Sequence, residues 1–210
     1  MKITKLGHSC VLVETPDRVA LFDAGLWAER SLIDAVEHVD RIIYTHEHPD
    51  HFDTDILRSL VQRFPDAHVI CNQSIADLIA AVDIKVMVRE SSQCTRKFEA
   101  PHEQLPIPGA QAPTQNGYHF QDLFTHPGDS QSFSETKQVL AMPFIGPWGK
   151  TEDSIKKVLE LKPAYVLPIH DWHYTTQAKD WLQGLLENSL KGTDIKLLPN
   201  KNGKVIELDT

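Results

Sequence analysis

The sequence predicts a layered α/β fold, on three observations. Short β-type runs open the chain, strand-like and helix-like runs alternate through its middle, and the second half is rich in apolar strands that run into polar or Pro/Gly-rich loops. KITKLG, CVLVE and RVALFDAG are the opening strands, and TPDR supplies turn residues between the second and third, so the start reads as an antiparallel meander. ERSLIDAVEHV places Leu32, Ile33, Val36 and Val39 at helical spacing and leads into the apolar run RIIYT. DTDILRSLVQRF is an amphipathic helix with Asp53 or Thr54 as its cap and Pro65 beyond its end. Strand AHVIC, helix QSIADLIAAV and strand KVMV continue the alternation, and TRKFEAP begins the β-rich half.

Residues 101–117, PHEQLPIPGAQAPTQNG, contain four prolines and two glycines, which exclude regular structure and suit a lid with His102 at its entrance. YHFQDLFTHPGDS and KQVLAMPF each read as a strand ending in a loop. TEDSIKKVLELK is a helix with Thr151 as its cap and Glu152 and Asp153 at its positive end. AYVLPIHDWH is a buried strand ending in histidines, and TQAKDWLQGLLENSLKG is the last long helix, with Gly192 as its stop. DIKLL and GKVIEL read as a closing hairpin. With no repeat, low-complexity tract or interdomain linker, residues 1–210 are expected to form one domain.

Composition narrows the class. The chain is 41% hydrophobic and 24% charged, as globular proteins are. No apolar stretch approaches the ~18 residues a membrane helix needs. The start, MKITKLGHSCVLVETPD, lacks the apolar centre of a secretory signal, so a cytoplasmic location is expected. Cys10, Cys71 and Cys94 are odd in number, far apart and free of any C-x-x-C pair, and are expected as reduced, mostly buried thiols. With 29 acids against 21 bases, the net charge of −8 argues against nonspecific polyanion binding. The expected partner is a small-molecule substrate rather than nucleic acid or a membrane, and the sequence leaves a homo-oligomer open.

The chemistry concentrates in RIIYTHEHPDHFDTD, residues 41–55, where His46, His48, Asp50 and His51 fall within six positions behind an apolar strand. Given 11 His and 17 Asp in 210 residues, His-x-His-x-Asp-His arises by chance in about one chain in 400, so a built site is the better explanation. Imidazole nitrogens and carboxylate oxygens bind divalent transition metals, and a donor set without thiolate suits zinc, manganese or iron. Four donors in one loop need partners if two ions are to be held, and His102, Asp129 and His170 near strand ends are the candidates.

Taken together, these residues resemble the metallo-β-lactamase superfamily. The signature is His46-x-His48-x-Asp50-His51 after an apolar strand, a later lone His, Gly-Asp-Ser after a strand and a final strand ending in His, from GHSCVLVE through VLPIHDWH. LGHS, LFDAG, HPGDS and PIHD are most similar to small hydrolases of the ascorbate-phosphate lactonase branch. The resemblance implies a four-layer αββα sandwich of two mixed β-sheets flanked by helices. It implies one metal at His46, His48 and His102, a second at Asp50, His51 and His170, and Asp129 bridging them. Two divalent ions are expected, zinc ahead of manganese or iron, with a bridging hydroxide as nucleophile toward a lactone, phosphodiester or thioester. Asp50 would be both ligand and catalytic carboxylate, orienting the attacking oxygen.

Around these ligands, Asp23 is expected to accept an imidazole N–H, and His8 to stand beside the ligands. His173 and Trp148 are expected at the substrate, with His126 close by, Phe144 as an apolar wall and Lys150 as a nearby cation. An iron-dependent oxidoreductase with the same ligands is the first alternative, but no cysteine cluster or dinucleotide fingerprint accompanies it. A nuclease would need a basic groove, and a non-enzymatic metal binder would show an incomplete ligand set.

Overall fold

The computed structural model describes residues 1–209. Strands β1 (Lys2–Lys5), β2 (Val11–Glu14) and β3 (Val19–Phe22) form the expected antiparallel meander. β4 (Arg41–Ile43), β5 (His68–Ile70) and β6 (Val88–Arg89) continue this sheet in parallel. Parallel neighbours need a crossover, and helices α1 (Arg30–Asp34), α2 (Thr54–Arg63) and α3 (Gln73–Ala81) provide it. The second sheet runs antiparallel through β7 (Thr95–Phe98), β8 (Gly117–Phe120) and β9 (Phe124–His126). It turns parallel through β10 (Val139–Pro143), β11 (Tyr165–Ile169) and β12 (Lys196–Leu197), with α4 (Thr151–Leu161) and α5 (Thr176–Ser189) as crossovers. β13 (Val205–Glu207) returns to pair with β1, giving sheets of seven and six strands.

Three apolar layers hold these elements together. Between the sheets, Ile3, Phe22 and Ile43 of one meet Phe120, Phe124 and Leu167 of the other, all fully buried. Each such side chain contributes about 1.5–3 kcal/mol. A second layer packs Leu57 and Leu60 of α2 and Ile75 and Ile79 of α3 on the outer face of the first sheet. A third packs Val158 of α4 and Leu182 and Leu186 of α5 on the second. The result is the expected four-layer αββα sandwich of two mixed sheets. Covered on both faces, β10 is buried at every position, which explains why VLAMP shows no alternation.

Several local expectations are corrected. α1 stops at Asp34 rather than near Val39, because Arg63 reaches across and donates to the carbonyls of Ile33, Asp34 and Val36, satisfying them outside a helix. YHFQDLFTHPGDS contains a hairpin with a three-residue connection, Gln121 to Leu123: Gln121 and Asp122 both take positive φ (48° and 51°) in a turn closed by the Leu123 N–H on the Phe120 carbonyl, without the glycine that announces one. Thr151 does not cap α4; Lys150 holds that position, and the Thr151 hydroxyl donates to the Phe144 carbonyl. KVMV contributes only Val88 to a two-residue strand. The closing hairpin does not form, because β12 extends the edge at β11 and β13 the edge at β1, so each unpaired edge is covered by a different strand. Asp53 caps α2 as expected, accepting from the N–H groups of Asp55 and Ile56, and the three cysteines are free thiols. Among the described residues no helix is long and apolar enough to cross a membrane.

Candidate metal centre

The expected ligands emerge from the carboxyl ends of strands in both sheets. His46, His48, Asp50 and His51 lie between β4 and α2, His102 follows β7, Asp129 follows β9 and His170 follows β11. Donor atoms of His46, His48, His102 and Asp129 all lie within 4.8 Å of one another, and so do those of His8, Asp50, His51 and His170. Asp129 stands between the groups. Its Oδ1 is 3.1 Å from His51 Nε2, and its Oδ2 is 3.1 Å from His170 Nε2 and 3.6 Å from His102 Nε2. The structure thus brings together all seven residues expected from the sequence, although they span 125 positions from 46 to 170.

Ring hydrogens decide which nitrogens can ligate. A neutral imidazole whose Nδ1 hydrogen is bonded to an acceptor presents a lone pair at Nε2. His51 Nδ1 donates to Asp23 Oδ2 (2.8 Å), and His102 and His170 Nδ1 donate to the carbonyls of Glu103 and Ile145 (2.6 Å each). His46 Nδ1 donates to Thr45 Oγ1 (3.0 Å), whose own hydrogen goes to Asp23 Oδ2 (2.8 Å). In all four rings Nε2 is buried with no hydrogen bond of normal geometry, as is Asp129 Oδ1; those of His51 and His170 face the Asp129 carboxylate at 3.1 Å, and those of His46 and His102 meet no other donor or acceptor that closely. Each unpaired buried group costs about 1–3 kcal/mol, and convergent nitrogens and a carboxylate are what divalent cations satisfy.

His8 belongs to the second group by distance but differs in tautomer. Its Nδ1 accepts the Trp172 N–H (3.3 Å), so Nε2 carries the hydrogen and donates to Asp50 Oδ2 (3.0 Å). Burial lowers its pKa to about 3, in keeping with a neutral ring. His8 therefore holds a ligand's carboxylate rather than offering a lone pair.

Charge among these side chains is unevenly divided. Burial, reinforced by neighbouring imidazoles, pulls the pKa of His46 and His48 down, so that both are neutral. His51 goes the other way: burial opposes its charge, but Asp129, Asp50 and Asp23 outweigh it and raise the pKa well above the usual value. Against the same burial penalty, Asp129 and Asp50 raise His170 to about 9. Asp50 and Asp129 are correspondingly held below the usual carboxylate range, burial being outweighed chiefly by His51 and His170.

Backbone strain and buried support concentrate here. His8, Asp23 and His170 adopt left-handed φ (49°, 44° and 65°), which costs a non-glycine residue roughly 1–2 kcal/mol. Asp23 accepts three hydrogen bonds, from Thr45 N–H (2.9 Å), the Thr45 hydroxyl and His51. The expected imidazole acceptor is therefore in place, and it serves the histidine loop's backbone as well. Behind His170, buried Lys5 lies 2.8 Å from Asp171 and donates to the Pro168 carbonyl and Asn200 Oδ1, tying β1 to the end of β11. The segment 101–117 is ordered at both ends: Glu103 N–H donates to the Asp129 carbonyl, and Gln115 Oε1 accepts from the Asp129 N–H.

Gly25 packs against the histidine loop so closely that a Cβ would lie 2.3 Å from the carbonyl carbon and oxygen of Asp50. Gly25→Ala is expected to displace Asp50 and His51, destabilise the fold by about 1–3 kcal/mol and weaken metal binding about tenfold or more. Thermal melting with and without zinc, together with zinc titration, measures both effects.

A cleft of about 600 Å³ opens onto His48, Asp50, Asp129 and His170. Trp148 and His173 line it as expected. Phe144 does not, being buried in the layer beneath α4 and α5, and Lys150 is exposed and absent from the lining. His126 is structural: its Nε2 donates to the Ser9 carbonyl and its Nδ1 accepts the Gly128 N–H. Missed from sequence were Thr45, Gly25, the Ile145 carbonyl, Leu105, Trp27 and Tyr174. A signal existed for Trp27, which lies four residues beyond Asp23.

Fold and site together define a protein with the metallo-β-lactamase architecture and a His/Asp cluster fit for divalent metal. The chain belongs to the β-lactamase superfamily, whose domain profile matches residues 2–170. It is similar to Protein Rv0786c of Mycobacterium tuberculosis, with 26% identity over 96% of this chain and 98% of that one. Among solved structures it is similar to the metallo hydrolase Igni18 of Ignicoccus hospitalis (16% identity, 99% of each chain, TM-score 0.69). It is equally similar to an isothiocyanate hydrolase from Delia radicum gut bacteria (16% identity, 99% of each chain, TM-score 0.70).

Proposed function

We propose that this protein is a metal-dependent hydrolase that uses two divalent ions on a small ester-like substrate bound in the cleft. The observation that carries this is the set of four Nε2 atoms and Asp129 Oδ1, buried without hydrogen bonds of normal geometry and converging from four separate segments of the chain. The metallo hydrolase named among the similar structures supports the same reading. His46, His48 and His102 would hold one ion and Asp50, His51 and His170 the other, with Asp129 between. Zinc suits this nitrogen-rich set best, and manganese or iron also fits. When bound, such ions lower the pKa of water and polarise the oxygen of a carbonyl or phosphoryl group.

The chain's own residues do the rest. Asp23 and the carbonyls of Glu103 and Ile145 keep His51, His102 and His170 oriented and their Nδ1 hydrogens occupied. His8 engages Asp50 Oδ2 and holds the carboxylate at the cleft floor, where it is placed to accept a proton from an attacking water. The apolar walls exclude bulk water, which strengthens every charge interaction at the floor.

Elemental analysis of protein purified without added metal tests the reading, beside a His170→Ala control and turnover of bis(4-nitrophenyl) phosphate and simple lactones. About two equivalents of zinc or manganese are expected, falling to about one in the control, with hydrolysis lost on chelation. A chain that takes up no metal even after reconstitution would sink the proposal.

A pH dependence follows from the uneven charge. Ions at His46 and His48 meet neutral rings, whereas ions at His51 and His170 must displace protons. The second equivalent is therefore expected to bind more weakly by about one power of ten per pH unit below 9 through His170, and more steeply where His51 also holds its proton, with proton release visible by calorimetry in buffers of different ionisation enthalpy. In the metal-free protein the raised pKa of His170 contributes stability that is complete below about 6.5 and lost as pH rises through about 9. The gain in Tm on adding zinc should accordingly grow from pH 6.5 to 9.

A further inference from the structure

We infer that the substrate is an uncharged small molecule with an aryl or alkyl body, an ester, thioester or lactone rather than a phosphorylated or carboxylated compound. This names the substrate of the hydrolase site and rests on that reading. The cleft divides into two parts. Its floor is His48, Asp50, Asp129 and His170, and its walls are largely Trp27, Leu105, Ile145, Pro147, Trp148 and Tyr174. About 600 Å³ is room for a compact organic molecule and its leaving group.

Among the described residues no lysine or arginine lines the cleft, and its acids, Asp50 and Asp129, both belong to the floor. The buried cation behind the site is committed elsewhere: Lys5 lies 2.8 Å from Asp171, and Lys179 lies 3.4 Å from the same carboxylate. The remaining basic group of the lining is His173, an imidazole at the wall rather than a permanent cation. A phosphate or carboxylate remote from the reacting bond would lose its water against indole and aliphatic surface with nothing to replace it. The −8 charge of the chain adds repulsion.

Flat aromatic faces are what the walls do offer. Trp27 stacks on Trp172 (ring centroids 4.7 Å apart, planes 15° apart) and meets His8 edge-on (4.9 Å), so a two-indole slab is anchored to the residue that holds Asp50. Across the site Trp148 stands edge-on to His170 (5.1 Å) and His102 (6.0 Å), which ties the second aromatic wall to a ligand from each metal group. A planar or alkyl body packed against Trp148 thus has its electrophilic centre beside the floor.

The test uses zinc-loaded protein and three matched esters: 4-nitrophenyl butyrate, mono-4-nitrophenyl succinate and 4-nitrophenyl 4-(trimethylammonio)butanoate. Binding of the corresponding 4-nitroanilides is followed by quenching of tryptophan fluorescence. The butyrate is expected to exceed both charged esters in kcat/KM by about tenfold or more, and Trp148→Ala to raise its KM, rather than lower kcat, by about fivefold. Equal or faster turnover of the succinate would overturn the proposal while leaving the hydrolase reading intact, as would a preference for the ammonium ester, which would assign the indoles to cation recognition. If no ester is cleaved but the uncharged anilide still binds tightest, the wall assignment stands and the hydrolytic reading falls.

Discussion

Asp129→Asn is expected to lower hydrolysis by at least about 10²–10³-fold and to reduce bound metal from about two equivalents toward one, with the protein still folded. The substitution keeps size and removes charge at the one carboxylate whose oxygens face His51, His170 and His102. Two divalent cations repel each other strongly in a buried site, and without that negative charge their joint occupancy loses its main offset. Folding should survive because the loop is held by backbone: the Asp129 N–H donates to Gln115, and its carbonyl accepts from Glu103. His51 and His170, deprived of a partner, should release protons more readily, which NMR titration of the metal-free variant would show. Wild-type turnover with two bound ions would remove Asp129 from the centre of the mechanism.

Asp23→Ala should be the most destabilising change at the site, by about 3–5 kcal/mol, with metal affinity about 10–100-fold weaker. Three donors lose their acceptor together, the Thr45 N–H, the Thr45 hydroxyl and His51 Nδ1, all fully buried. For a chain of this length 1 kcal/mol corresponds to about 2–4 °C, so the Tm should fall by roughly 10 °C. Asp23→Asn is expected to fall between, since one amide oxygen still accepts from Thr45. Equal Tm for wild type and alanine variant would show that the buried network carries no net stability.

Much of the site was legible because its donors are dense in sequence. His46, His48, Asp50 and His51 occupy one loop, and chance could not account for them. His102 and His170 were harder to place, since each is a single histidine whose partners lie far along the chain. Phe144 and Lys150 were misplaced for one reason: neighbours in PFIGPWGK diverge when the chain leaves β10, sending Phe144 into the core and Lys150 to the start of α4. The fold was legible wherever periodicity and turn chemistry agreed, as in β1 to β3 and in α2. It failed at Gln121 and Asp122, where two non-glycine residues make a glycine-type turn, and at β12 and β13, where adjacent strands serve opposite sheets.

By itself the sequence determined the layered α/β class, the nitrogen and oxygen donor set and the expectation of divalent metal, because these depend on residue types and short spacings. Tertiary structure alone decided which imidazole nitrogen faces the site, which rings have their pKa raised and which lowered, and that the cleft has tryptophan walls and no fixed cation. Those properties arise between residues such as His51 and Asp23, His170 and Ile145, or Trp27 and Trp172, and hydrogen bonds, charge and stacking act over ångströms rather than along the chain.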